Sequence, residues 1–148
     1  MKKKILIVNA NYYKKISLNL NKGAIKILNK YKFDYDIISV PGAFEIPLTI
    51  KNFINKKKYV AYIALGCIIK GETYHFNLIS NECSRSINNL SLKYNIPIGF
   101  GVLSCNNMKQ AEKRSRLDKN NKGGEAANAC IHMIKILSSN NHTYWQKK

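Results

Sequence analysis

With 148 residues and 45% hydrophobic side chains, the chain has the size and apolar content of one domain built on one buried core. No apolar run approaches the ~20 residues that a bilayer span needs, and Met1-Lys2-Lys3-Lys4 leads directly into a short strand, which predicts a soluble, unprocessed chain with no membrane partner. The net charge of +17 invites a nucleic-acid reading, but 22 of the 25 basic residues are lysine, scattered or in short runs such as Lys56-Lys57-Lys58, so a solvated surface and no nucleic-acid partner are expected.

The apolar pattern alternates short β-type runs with longer helical periods, the mark of βα units around a parallel sheet. The first strand is predicted at residues 5–9 and the second at 35–40. A third follows at 60–69 and a fourth at 98–104, each trailed by a turn and a helical stretch. The clearest helix begins after His75, where Phe76, Ile79, Cys83, Ile87, Leu90 and Tyr94 recur at spacings of three and four, with Asn81, Arg85 and Asn88 on the polar face. A last helix is predicted at residues 124–137. Ala126, Cys130, Ile134 and Leu137 lie on one side, and small alanines permit close approach to a sheet or a neighbouring subunit. No linker or repeat interrupts this order, and the whole of residues 1–148 is expected to form a single α/β domain.

Ligands of right-handed parallel sheets collect at the carboxyl ends of the strands, where loops enter helix N-termini. That singles out the loops at residues 10–15, 41–47, 70–75 and 104–108. The four cysteines, Cys67, Cys83, Cys105 and Cys130, are widely spaced in apolar or helical stretches with no C-x-x-C pair. This argues against a disulfide framework or a zinc site and predicts buried or half-buried thiols in a reducing, cytoplasmic compartment.

The loop Lys70-Gly71-Glu72-Thr73-Tyr74-His75 opens the longest helix, so its free backbone N–H groups sit at the positive end of a helix dipole and suit an anion. Gly71 lets a ligand approach the backbone, Thr73 adds a hydroxyl, and His75 is titratable near neutral pH. On position alone an ordinary helix cap, with Thr73 as the capping residue and His75 exposed, is the favoured reading.

The longer string Leu65-Gly66-Cys67-Ile68-Ile69-Lys70-Gly71-Glu72-Thr73-Tyr74-His75 resembles the strand, Gly-x-Thr-x-His and helix signature of the lumazine synthase family. Three further blocks agree in order and spacing: Val40-Pro41-Gly42-Ala43-Phe44-Glu45-Ile46-Pro47, Pro97-Ile98-Gly99-Phe100-Gly101-Val102-Leu103, and Asn121-Lys122-Gly123-Gly124-Glu125-Ala126-Ala127. The resemblance implies a flavodoxin-like, three-layer α/β/α domain with a four-stranded parallel sheet. It also implies condensation of 5-amino-6-(D-ribitylamino)uracil with 3,4-dihydroxy-2-butanone 4-phosphate to 6,7-dimethyl-8-ribityllumazine, with loss of phosphate and water. That step belongs to riboflavin biosynthesis, and no cofactor or metal is implied. A homologue that binds lumazine or flavin without catalysis is the alternative.

By the same resemblance Tyr12 would stack on the pyrimidine, with Phe100 of an adjacent subunit packed against it. Ala43, Phe44 and Glu45 would hold the ribityl chain and ring edge, and backbone groups of Cys67, Ile68 and Ile69 would pair with the pyrimidine. The phosphate would fall to Glu72, Thr73 and Arg114, and His75 would carry protons. Arg114 is one of only three arginines, and its planar fork matches phosphate oxygens as a lysine cannot; Arg85 and Arg116 read as structural or surface residues. The chain departs from the family at Tyr13, where an asparagine is usual, and at Ser115-Arg116 after Arg114. The implied assembly is a homo-oligomer with sites between subunits, either a pentamer or a shell of about 60 chains, with association to riboflavin synthase as a further implied partner.

Overall fold

The computed structural model of the chain describes residues 3–139. In chain order it runs β1 (Lys4–Ala10), α1 (Lys14–Lys30), β2 (Asp34–Val40), a 3-10 turn (Ala43–Glu45), α2 (Ile46–Asn55), β3 (Ala61–Ile69), α3 (His75–Tyr94), β4 (Ile98–Cys105), α4 (Met108–Arg114) and α5 (Lys122–Ser138). The strands form one parallel sheet in the order β2-β1-β3-β4, the flavodoxin-like arrangement that was expected. All four predicted strands are present within a residue of their predicted ends.

Alternation along the strands feeds two apolar layers, because successive side chains of a strand point to opposite faces. Ile5 and Ile7 of β1, with Ile63, Leu65 and Cys67 of β3, bury against Ile16, Leu20 and Leu28 of α1 and Ala127, Cys130 and Ile131 of α5. Leu6 and Val8, with Tyr62, Ala64 and Ile68, face Ile46 and Ile50 of α2 and Cys83 and Ile87 of α3. The stripe predicted for α3 is therefore the buried stripe, and Asn81, Arg85 and Asn88 are exposed. Leu137 departs from expectation. It lies 43% exposed in the last turn of α5, at a shallow cleft beside Tyr94 and Pro97.

The short helix α4 starts at Met108, where the predicted loop at residues 104–108 ends, but no extent could be read for it. Only Ala111 of its residues is buried, which leaves no apolar period to read. Asn107 caps it, accepting from the Gln110 backbone N–H at 2.9 Å.

The joint between α1 and α5 depends on Asn121 and Gly123. Asn121 caps α5 by accepting from Gly124 N–H at 3.1 Å, and its amide donates to the Asn19 and Ser115 carbonyls at 3.0 and 2.8 Å. A Cβ on Gly123 would stand 2.0 Å from the Leu20 carbonyl oxygen, so the two helix backbones touch there. Since backbone cannot move aside as a flexible side chain can, Gly123→Ala is expected to destabilise the fold by about 3 kcal/mol or more, at the upper end for overpacking. A urea midpoint equal to that of the unmodified chain would contradict this.

Candidate active site

The sheet changes winding direction between β1 and β3, because the crossover from β1 leads outward to β2 while that from β3 leads the other way to β4. Such a switch point opens a crevice at the carboxyl ends of the two strands, where neither crossover covers the sheet. A cavity of about 430 Å³ lies there, lined by Tyr12 and Tyr13 after β1, Gly42, Ala43, Phe44 and Glu45 after β2, Cys67, Ile68 and Ile69 at the end of β3, and His75 and Ile79 of α3. A wider cleft of about 590 Å³ between α1 and α4 is lined by surface charges such as Lys15, Lys109, Lys113 and Arg116. It meets none of the family blocks apart from its edge near Arg114, and the switch-point cavity is the better candidate on position and chemistry.

Each wall is held by the fold. The loop after β1 is fixed at both ends: the Asn11 N–H donates to the Val40 carbonyl at 3.0 Å, and the fully buried Asn9 grips the first turn of α1 through the carbonyl and hydroxyl of Ser17. Tyr12 is left 73% exposed at the mouth, edge-to-face with Tyr13 at a centroid separation of 4.9 Å. Beyond β2, Gly42 turns the chain into the 3-10 turn, where Ala43 is buried while Phe44 and Glu45 are exposed. The Cys83 thiol ties this turn to α3 by donating to the Ala43 carbonyl at 3.4 Å.

The loop after β3 begins with a hydrogen bond from Lys70 N–H to the Cys105 carbonyl at 2.8 Å. Helix α3 starts at His75, with Tyr74 at the cap position and no side chain capping it. Thr73 nevertheless meets the helix start, since its hydroxyl accepts from the His75 N–H at 3.3 Å. His75 itself is exposed at the cavity wall.

The residues singled out by sequence fall into two groups. Tyr12, Ala43, Phe44, Glu45, Cys67, Ile68, Ile69 and His75 share the cavity. Glu72 and Thr73 lie exposed in the adjoining loop. Phe100 sits on β4, 47% exposed and in register with Ala64, on the face that carries α3. Arg114 closes α4, where its guanidinium donates to the Gln110 carbonyl at 3.4 Å and lines a separate cleft with Lys113, Arg116, Lys119 and Asn120. Arg116 forks onto Asp118 at 3.0 and 2.6 Å, a surface pair as expected. Lys122 pairs with Glu125 at 2.8 Å.

Sequence reasoning passed over Gly42 and Ile79 as walls, while Tyr13 was read as the phenol that stands where the family's asparagine contacts the ribityl chain. Ile79 lies one helical turn beyond His75, and that spacing was the available signal. Among the described residues there is no cluster of histidine, cysteine and carboxylates able to hold a metal. The four cysteines are free and buried. Burial raises the Cys67 and Cys130 thiols to about 12 and Cys83 to about 11, which removes thiolate character from the cavity wall. Folded chain at pH 8 is accordingly expected to react with a disulfide reagent far more slowly than the same chain in denaturant, where all four thiols titrate at once. Rapid labelling of Cys67 in the folded chain would contradict this.

The family model for 6,7-dimethyl-8-ribityllumazine synthase matches residues 2–138. The chain is 46% identical over 139 residues to the 6,7-dimethyl-8-ribityllumazine synthase of Bartonella tribocorum, covering 92% of each chain. Its similarity to the enzyme of the same name from Bartonella henselae is 45% over 136 residues, covering 89% of this chain and 86% of that one. With the corresponding protein of Blochmanniella pennsylvanica it shares 41% over 140 residues, or 92% of this chain and 89% of the relative. Agreement on this scale, over a chain whose switch-point cavity gathers the family's signature loops, makes the chain a member of the 6,7-dimethyl-8-ribityllumazine synthase family, transferases that catalyse a step of riboflavin biosynthesis.

Proposed function

We propose that the cavity at the ends of β1 and β3 is where 5-amino-6-(D-ribitylamino)uracil condenses with 3,4-dihydroxy-2-butanone 4-phosphate to give 6,7-dimethyl-8-ribityllumazine, phosphate and water. The carrying observation is the convergence of Tyr12, Phe44, Glu45, the end of β3 and His75 on one cavity of about 430 Å³. In this reading Tyr12 offers a ring face to the pyrimidine. Glu45 and Ala43 take the ribityl hydroxyls, the carboxylate as a strong acceptor. Backbone groups of Cys67, Ile68 and Ile69, free where the strand ends, pair with the heterocycle edge.

The phosphate sits at the start of α3, against the Glu72 and Thr73 N–H groups and the Thr73 hydroxyl, with the Arg114 fork as its countercharge. The substrate amine attacks the ketone carbon, and water leaves as the imine forms. Loss of a proton beside the imine then lets the phosphate depart, and closure on the second nitrogen with loss of water completes the ring. His75 moves the protons of these steps. Because an amine is already a nucleophile, much of the acceleration comes from holding both reactants together.

The whole chain acts as one cytoplasmic domain in this proposal. No described helix is long and apolar enough to cross a membrane. The domain assembles as a pentamer, alone or as a unit of a larger shell, with riboflavin synthase as a further partner. Support comes from apolar side chains left uncovered, Tyr12 and Phe44 on the cavity and Leu48, Tyr74 and Leu78 on the elements that follow its loops: each is at least 50% exposed, more than a lone chain ordinarily leaves together. Phe100 and Arg114 stand outside the cavity of their own chain, as residues lent to a neighbour would.

The deciding experiment mixes purified chain with both substrates and follows lumazine fluorescence. Product formation supports the reaction. A carrier would bind added lumazine without forming it, and a nucleic-acid binder would do neither but would hold RNA with a steep dependence on salt.

A further inference from the structure

Two pairs of polar residues are buried together, Asn9 with Ser17 and Asn121 with Ser115. The first pair holds the loop that carries Tyr12, and the second stands beside Arg114. Burying an amide costs free energy unless its hydrogen bonds are made, and Asn121 makes them on three sides. Its Oδ1 accepts from the Gly124 N–H and caps α5, while its Nδ2 donates to the Asn19 carbonyl of α1 at 3.0 Å and to the Ser115 carbonyl at 2.8 Å. Gly23 makes room for this amide against α1, since a Cβ there would run into the Asn121 Oδ1.

Ser115 directly follows Arg114 and is fully buried, and its N–H closes α4 on the Ala111 and Glu112 carbonyls at 3.1 and 3.2 Å. Helix α4 is seven residues long, with Ala111 as its buried residue. One buried methyl gives so short a helix little packing to fix it. The direction in which Arg114 leaves α4 therefore depends on how Ser115 is tied down, and the Asn121 amide ties it to α1.

We propose that Asn121 is a positioning residue: through the Ser115 carbonyl its amide anchors the end of α4 to α1 and so aims Arg114 at the phosphate of the butanone substrate. The inference rests on the assignment of Arg114 to that phosphate, whichever chain's cavity Arg114 serves. The two tasks of Asn121 fall on different atoms, because the oxygen caps α5 and the nitrogen braces α4.

That division makes the test. Asn121→Asp keeps the shape and a capping oxygen, but sets a second oxygen against the two carbonyls to which the amide donated. Asn121→Ser keeps a capping hydroxyl and removes the donor without an opposing charge. Each is assayed for KM of both substrates, for melting temperature and, by fluorescence titration without turnover, for the dissociation constant of lumazine. The butanone phosphate KM should rise about threefold to tenfold, the worth of one neutral hydrogen bond. The pyrimidine KM and lumazine binding should stay unmoved, since neither molecule carries the phosphate. In an Arg114→Ala background the same substitutions should raise the butanone phosphate KM no further, because a residue that acts through Arg114 then has nothing to act on.

Unchanged butanone phosphate KM in either variant, folded and beside a selective effect of Arg114→Ala, overturns the proposal and leaves the phosphate assignment standing. Equal rises for both substrates with a lowered melting temperature overturn it too, as does a rise that adds in full to that of Arg114→Ala, since a merely structural asparagine behaves so. If Arg114→Ala itself leaves the butanone phosphate KM unmoved, the phosphate assignment falls and the role of Asn121 falls with it.

Discussion

His75→Ala is expected to lower kcat by about 10² to 10⁴, the range a positioned acid-base group contributes, with little change in either KM. The structure isolates that effect. The imidazole is exposed, and the bond from the His75 backbone N–H to the Thr73 hydroxyl is one that alanine retains. The start of α3 and the melting temperature should therefore survive the substitution. Activity should also remain measurable, because two reactants held in one cavity keep an advantage of roughly 7 to 11 kcal/mol that does not depend on the imidazole. Single-turnover fluorescence with saturating substrates measures the chemical step directly. Turnover equal to that of the unmodified chain would remove His75 from the mechanism, and a fall accompanied by a lower melting temperature would make its role structural.

Most of the fold that positions this site was legible in the sequence, for reasons visible in particular residues. Strands buried on both faces read as unbroken apolar runs, and β3 is buried from Ala61 through Ile68, so residues 60–69 were hard to misread. The same holds for α3, whose inward stripe falls on a regular period. The extent of α4 escaped because one buried alanine makes no period, and Leu137, read on the packed side of the last helix, lies past the end of its own sheet. Of the site, the cavity walls were found through motif blocks, since nothing in the periodicity marks Ala43 or Glu45. Tyr13 was read as a phenol at the position of the family's usual asparagine.

Arg114→Ala is expected to raise the KM for the butanone phosphate about tenfold to a hundredfold, as loss of a charge-assisted pair does, while the KM for the pyrimidine barely moves. Equal effects on both would sink the assignment of Arg114 to the phosphate. The harder question is whose cavity Arg114 serves. In its own chain the charge of the guanidinium acts on the Cys105 thiol, at the end of the strand beside Cys67 of the cavity wall, so a site complete within one chain is a concrete rival to a shared one. Mixed assemblies decide between them. Equal amounts of His75→Ala and Arg114→Ala chains are unfolded together, reassembled, and assayed with the butanone phosphate well below the KM of the Arg114→Ala parent, so that each parent keeps no more than about a tenth of the unmodified activity. In a head-to-tail ring, random mixing puts the intact His75 of one variant beside the intact Arg114 of the other at about a quarter of interfaces. Shared sites should then restore activity toward about a quarter of the unmodified level, and sites within one chain should restore none. With mixing verified by native mass measurement, no recovery would assign Arg114 to the cavity of its own chain and remove the catalytic reason for an obligate oligomer.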